Sequence, residues 1–441
     1  MEMSLLKSYS DQITLKKLVS TNNCRVGDSA GYGNAMVLYE KFGDAADVMY
    51  MCEYKAPHKL KSAEDIVIQV QASNVTMTDC LIRGNSWYKQ APLPNTVGSD
   101  CVGRVYGVGR AAFKSGVRPG DKVAAISRYL GGSAKFTTVE REDIIPVPDG
   151  IHPSIAVSII RNYVTAYQNL YRCPAYPMER TDRVLIIGAD EAPGEAAVEL
   201  AILGGAQVYA TARSAKHPYL QSLGAKTFSH KDEWLSRVEG RMDLVIDYVG
   251  EDGFESSHAA LDEEGQLVCV GIKQNGGTGA DLFGISAMSK WTRFRANFVL
   301  PRSYFYDIFE SIEDDRDTFV RDAQRLFKLY TFGKISPKIS HTIALSEIAT
   351  FHQQLEMGEV KGTVVCDPQI ECSKDTPRSS INEHSQRRSK INEANYNACL
   401  GLSYDDETKS LYSMKIRNKN DEVVNKYWDD ATIETNESDY F

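Results

Sequence analysis

Thr211, Arg213, Ser214 and Lys216 stand close together in the run TARSAKHPYLQSLGA, residues 211 to 225. Hydroxyls and cations gathered in one turn are the side chains that hold a phosphate. Arginine suits the task because its planar fork donates two parallel charge-assisted hydrogen bonds. A solvated basic turn is the plain alternative. The choice between them depends on the elements that carry the turn.

Those elements are legible immediately upstream. Val184 to Ile187 is a short run of branched apolar residues, the pattern of a strand buried on both faces. Gly188 breaks the run, Gly194 follows, and a helical pattern places Ala197, Val198, Ala201 and Ile202 on one side. A second strand is expected over Gln207 to Thr211, and the basic turn begins at its end. The sequence predicts a strand–helix–strand dinucleotide-binding unit. NAD-selective sites place a carboxylate at the end of the second strand to accept from the ribose 2′-hydroxyl. Arg213 and Lys216 stand there instead, where a 2′-phosphate would lie, so the expected cofactor is NADPH.

The chain of 441 residues has room for two or three domains, and its 42% apolar and 25% charged residues are those of a globular protein. A net charge of −9 leaves no electrostatic footprint for nucleic acid or an anionic membrane. No apolar run approaches the roughly 20 residues of a membrane span. Nine scattered cysteines without a Cys-x-x-Cys pair fit a reducing compartment, and a cytoplasmic location is expected. Leu5, Leu6, Ile13, Leu15 and Leu18 allow a weak amphipathic helix, and sparse acids suggest an organelle-targeting peptide. Glu2 and Asp11 argue against targeting, so a solvated extension is the expectation.

From Ala35 to about residue 150 the pattern is short strands broken by turns. AMVLYEKFG and Ile66 to Val70 read as strands, and PGDKV (119 to 123) feeds another. Gly98, Gly103, Gly107 and Gly109 are expected to punctuate short Val-rich strands of a compact barrel. An all-β module followed by alternating strand and helix gives an α/β protein.

In this order the chain resembles the medium-chain dehydrogenase/reductase superfamily, specifically its zinc-free quinone oxidoreductase and enoyl reductase branch. The motifs are Asp79 with Ile82-Arg83, PLP-x-x-x-G-S-D at 92 to 100, PGDKV, VTAY at 164 to 167, the nucleotide unit, and EMGEVKGTVV at 356 to 365. The resemblance implies a GroES-like β-barrel catalytic domain from residues 35–155 and 301–368. Inserted between them, residues 156–300 form a Rossmann doubly wound parallel sheet that binds NADPH. Residues 1–34 form an N-terminal extension. Residues 369–441 are a polar C-terminal tail, disordered by default, in which SLYSMKIRN and VVNKYWDDATIE each allow a strand.

The resemblance also implies roles. Zinc-dependent members carry a cysteine where this chain has Thr76, and Gly-His-Glu where it has Gly98-Ser99-Asp100. No four-cysteine lobe lies between Val123 and Val147, so no zinc is expected. Thr165 and Tyr167 match residues lining a nicotinamide pocket. Val249, Gly250 and Gly271 match backbone contacts to ribose and nicotinamide, and Tyr219 a residue beside adenine. On the acceptor side the matching positions are Thr76, Asp79 and Leu81, with Trp87-Tyr88 in the next loop. Tyr88 is a candidate proton donor to a reduced carbonyl. An ordinary loop aromatic is the alternative, as a structural acceptor is for Asp79. The run EDDRD at 313 to 317 is expected to be a solvated face.

The phosphate loop departs from the family. Relatives carry several glycines where this chain has Asp190, Glu191, Ala192 and Pro193 between Gly188 and Gly194. Two carboxylates repel a pyrophosphate, yet Asp190 or Glu191 can cap the helix and Pro193 suits its first turn. Two readings stand: the carboxylates turn to solvent and NADPH binds weakly, or the site has decayed. The expectation is a zinc-free, NADPH-dependent reductase of a small quinone or enone, a homodimer by family analogy. The alternative is a non-catalytic binding protein on the same fold.

Overall fold

The apolar run becomes strand Arg183–Ile187, in which Val184, Leu185 and Ile186 are fully excluded from solvent. The computed structural model describes residues 16–17, 33–55, 60, 62–272 and 284–370. Two units are distinguished. One runs to Gly109 and resumes at Pro119; the short segment Arg110–Arg118, with helix Arg110–Lys114, belongs to the other. The sheets and the candidate site lie in the first.

Strand Arg183–Ile187 sits in the middle of a six-stranded sheet. The spatial order is Lys226–Ser229, Gln207–Ala212, Arg183–Ile187, Met242–Asp247, Leu261–Cys269 and Ser303–Phe305, with every neighbouring pair parallel. In chain order this is 3-2-1-4-5-6, the doubly wound arrangement whose crevice opens where the order reverses. Here the reversal falls between strands Arg183–Ile187 and Met242–Asp247, so the loops beginning at Gly188 and Tyr248 flank the crevice.

A second sheet has seven strands. The order is Ile339–Ile343, Thr363–Cys366, Asp65–Asn74, Asp100–Val108, Lys122–Ile126 and Ile144–Pro146, with Phe136–Glu140 also on Asp65–Asn74. Thr363–Cys366, late in the chain, pairs antiparallel with Asp65–Asn74, near its beginning. Strands Met49–Lys55, Gly33–Tyr39 and Asn95–Thr96 belong to a third, four-stranded sheet. The expected all-β module with a returning C-terminal strand is thus an α/β fold with a GroES-like part.

Some expectations need correction. Gly103 does not punctuate a turn but lies inside strand Asp100–Val108, where a Cβ would stand 2.1 Å from the Gln69 carbonyl oxygen. The glycine lets two strands approach. The EDDRD run is solvated as expected, with Glu313, Asp314, Asp315 and Asp317 exposed, and it also forms a helix junction: Asp314 ends helix Ile308–Asp314 and Asp315 caps helix Arg316–Thr331 by accepting from Thr318 N–H at 3.0 Å. Lys16–Lys17 is a short strand on Met49–Lys55, not helix. The rest of the expected N-terminal helix, and the polar tail with its two expected strands, lie outside the described residues.

Candidate functional site

At the crevice the chain reverses sharply after strand Arg183–Ile187. Gly188 takes φ +78°, a left-handed conformation that side chains other than glycine adopt at a cost. Its N–H donates to Thr211 Oγ1 at 3.2 Å, which ties the loop to the end of the second strand. Helix Ala192–Leu203 then starts so close that a Cβ on Gly194 would lie 2.2 Å from the Gly188 carbonyl oxygen. These two glycines keep the tight turn and the close helix–strand packing of a dinucleotide site. Glu191 is the N-cap residue, but its side chain makes no capping hydrogen bond, contrary to the expected cap; Pro193 does occupy the first turn.

Of the loop carboxylates, Asp190 is only 6% exposed and Glu191 is half-buried, and Glu195, in the first turn of the helix, is 7% exposed. Asp190 Oδ2 accepts from Arg213 Nε at 2.7 Å and from the Arg213 N–H at 3.4 Å. Glu195 pairs with the Lys216 ammonium, and Glu191 with that of Lys361. Burial pushes the Glu191 and Glu195 carboxyls up, against the opposing pull of Lys361 and Lys216 respectively. Arg213 also donates to the Gly358 carbonyl at 3.4 Å, so the turn before strand Thr363–Cys366 lies against the phosphate loop. Ser214 is exposed and opens a single 3-10 turn, Ser214–Lys216; Tyr219 is half-buried with its ring centroid 5.9 Å from Lys216 Nζ.

Of the residues expected at the nicotinamide end, Thr165 and Tyr167 are buried at 6% and 2% exposure. Thr165 hydrogen-bonds Tyr306, and the Tyr167 hydroxyl accepts from Arg325 at 2.9 Å. The N–H groups of Val249 and Gly250 both donate to Asp247 Oδ1, at 2.7 and 2.8 Å. Gly271 donates to the Asp247 carbonyl at 3.0 Å. A Cβ on Gly271 would lie 2.4 Å from the Tyr248 carbonyl oxygen, so the loops after strands Met242–Asp247 and Leu261–Cys269 touch back to back. Asp247 organises them: it is 2% exposed and its Oδ2 accepts from Ser257 at 2.6 Å.

On the acceptor side Thr76 and Asp79 form a capping box for helix Met77–Arg83. Asp79 Oδ2 accepts from the Thr76 N–H at 3.0 Å and hydroxyl at 2.6 Å, while Oδ1 accepts from Ser99 Oγ at 2.8 Å. Both oxygens of Asp79 are therefore committed to protein donors, and Leu81 points into the core. Tyr88 is buried, and its hydroxyl donates to Asp307. Burial, followed by the Asp307 charge, pushes the phenol far above its usual range. Arg128 Nη1 donates to the same Asp307 oxygen at 3.0 Å. A small cleft bounded by Tyr39, Asp79, Asn95, Gly98 and Arg128 opens nearby.

Several members of these networks were not singled out by sequence reasoning: Glu195, Lys361, Asp247, Arg128 and Asp307. Lys361 lies in EMGEVKGTVV, read only as a family motif, and Asp247 stands two residues before Val249, of which only the backbone was considered. Glu195 sits in a helix whose apolar face alone was read. Nothing local marks Arg128 and Asp307, which meet across 179 residues. Thr76 and Ser99, at the positions of the family's metal ligands, carry oxygens bound to Asp79. Among the described residues no three His, Cys, Asp or Glu side chains converge as a metal site requires.

The residues fit a phosphorylated nicotinamide dinucleotide in kind: a switch-point crevice, Gly188 and Gly194 at the turn, and cations at the end of the second strand. Each of those cations, however, already holds a carboxylate.

A family described as "Alcohol dehydrogenase GroES-like domain" matches residues 62–149, and one described as "Zinc-binding dehydrogenase" matches residues 223–366. The quinone oxidoreductase of Pongo abelii is 26% identical over 324 residues, 69% of this chain and 92% of that protein. The solved quinone oxidoreductase of Coxiella burnetii has a TM-score of 0.60 at 25% identity, covering 76% of this chain and 99% of that one. A mycobacterial structure solved in complex with NADPH has a TM-score of 0.62 at 22% identity, over 76% of this chain and 100% of that one. The last likeness is one of fold.

Proposed function

This chain belongs to the zinc-free medium-chain dehydrogenase/reductase family, and on that premise we propose that it is an NADPH-dependent oxidoreductase acting on a quinone or an α,β-unsaturated carbonyl. The observation that carries the reading is the crevice itself. A parallel sheet in 3-2-1-4-5-6 order opens between two loops, with Gly188 and Gly194 at one and Arg213 and Lys216 beside it. A nicotinamide held in this crevice would supply hydride. The chain's own residues orient, shield and balance charge. Gly188, Val249, Gly250 and Gly271 bring backbone close to the crevice. Thr165 and Tyr167 give it a rigid buried wall, and Tyr219 offers a half-buried ring beside the basic turn.

On the acceptor side, the Tyr88 hydroxyl donates to Asp307 and its phenol is pushed up by burial and the Asp307 charge, so Tyr88 protonates a substrate only if that hydrogen bond is broken. Arg128 is the better-placed source of positive charge for an oxygen that becomes negative on reduction. Thr76 and Asp79 position the helix that borders the cleft. The proposal carries with it a homodimer, by family analogy, and a cytoplasmic location.

A second reading is favoured by one specific observation. The three carboxylate–cation pairs on the phosphate loop match a binding protein that keeps the fold without cofactor turnover. The two separate in a steady-state assay of NADPH oxidation against a panel of quinones, enones and enoyl thioesters. Turnover with any acceptor class supports the reductase; none, at saturating NADPH with folded protein, leaves the binding protein.

A further inference from the structure

Asp190, Glu191 and Glu195 come from one turn and the start of one helix, and each holds a different cation: Arg213, Lys361 and Lys216. Arg213 and Lys216 are the cations that the dinucleotide reading assigns to the cofactor's 2′-phosphate. Their partners Asp190 and Glu195 are almost fully shielded while the Arg213 and Lys216 side chains stay 37% and 28% exposed, so the pairs are half-buried, with the carboxylates out of water and the cations reachable. A carboxylate taken out of water persists as an anion because it is paired, and losing the partner is costly. The N-cap residue Glu191 makes no side-chain capping bond, and Glu195, the acid in the first turn of helix Ala192–Leu203, pairs with Lys216 besides favouring the helix dipole. A carboxylate and a phosphate offer the same thing to these cations: anionic oxygens for charge-assisted hydrogen bonds.

We propose that Asp190 and Glu195 are built-in occupants of the phosphate-binding cations, so that a phosphorylated dinucleotide binds only by exchanging with them. The proposal rests on the dinucleotide reading and adds how the site selects its cofactor. Because each cation is already neutralised, the 2′-phosphate gains little net attraction, and the intact protein discriminates weakly between NADPH and NADH. Asp190 and Glu195 are in this sense the specificity-determining residues. Arg213 and Lys216 supply the selectivity only when released.

Isothermal titration of NADPH and NADH into wild type, Asp190→Asn, Glu195→Gln and the double variant tests this, each protein first checked for a cooperative thermal transition. In the double variant the ratio of dissociation constants should move toward NADPH by about tenfold or more, the size of one charge-assisted pair no longer broken on binding. NADH affinity should change by less than about threefold, because the 2′-hydroxyl displaces neither pair. Glu195→Gln alone should move the ratio the same way, which keeps the test open if Asp190→Asn does not fold. An unchanged ratio, or a loss confined to NADPH, overturns the exchange proposal and leaves the dinucleotide reading standing. If neither nucleotide binds wild type or any folded variant, both fall together.

Discussion

Arg213 and Lys216 are each placed between two anions, one of which is part of the chain. Replacing both with Ala removes the cations that pair with Asp190 and Glu195 and leaves those carboxylates without these partners. NADPH affinity should then fall far more than NADH affinity, as parallel titrations of the two cofactors would show; equal losses would refute the 2′-phosphate assignment. A different buried carboxylate carries a pH signature. Asp100 is fully buried, accepts from the Asn74 N–H at 2.7 Å and side chain at 3.0 Å, and burial pushes its carboxyl up to about 6 from 3.8. A raised folded pKa means the native state binds the proton more tightly. The associated stability is present below pH 3.8 and is lost as pH rises through about 6. At 1.36 kcal/mol per unit the change is on the order of 3 kcal/mol. Urea melts of wild type and Asp100→Asn from pH 4 to 7 should show wild type losing ground to the variant as pH rises; a constant difference would exclude the assignment.

At the scale of elements, the turn from strand Arg183–Ile187 into helix Ala192–Leu203 has no room for a methyl group at Gly194. Alanine has the better helix propensity, by about 1 kcal/mol. Its Cβ would nonetheless meet backbone atoms of Gly188 and Ala189 at 2.2 and 2.9 Å. Overpacking against backbone should win, and Gly194→Ala should destabilise by about 1–3 kcal/mol; a denaturant midpoint at or above wild type would show that the helix can shift freely. This strand–turn–helix was legible because its signals are local: a branched apolar run, a glycine on each side of the turn, a helical apolar period. The fate of Asp190 and Glu191 was not legible. Their types suit a helix cap, but Asp190 finds Arg213 23 residues on, and Glu191 finds Lys361 170 residues on. Tyr88 shows the same limit, since a loop tyrosine reads as a free donor until Asp307, 219 residues later, accepts its hydrogen bond. Asp79, by contrast, was read with a structural alternative, and its short-range partner Thr76 makes that alternative visible in the sequence.

At the scale of the whole molecule, strand Thr363–Cys366 links distant parts of the chain. It lies between Ile339–Ile343 and Asp65–Asn74, and Val364, Val365 and Cys366 are at most 1% exposed. A chain ending at residue 362 would expose a sheet interior and should show no cooperative thermal transition by circular dichroism; a wild-type melting curve would mean the strand is dispensable. The turn before that strand also brings Gly358 and Lys361 onto the phosphate loop, so sheet closure and cofactor site are coupled. Cofactor use by this protein requires a crevice able to seat a phosphorylated dinucleotide despite its own carboxylates. Titrating NADPH into the purified full-length protein, with nucleotide fluorescence as the signal, tests that most directly. Saturable binding, weakened by the exchange with Asp190 and Glu195 but measurable, is the predicted result. A linear signal up to millimolar NADPH, from protein that melts cooperatively, would contradict it.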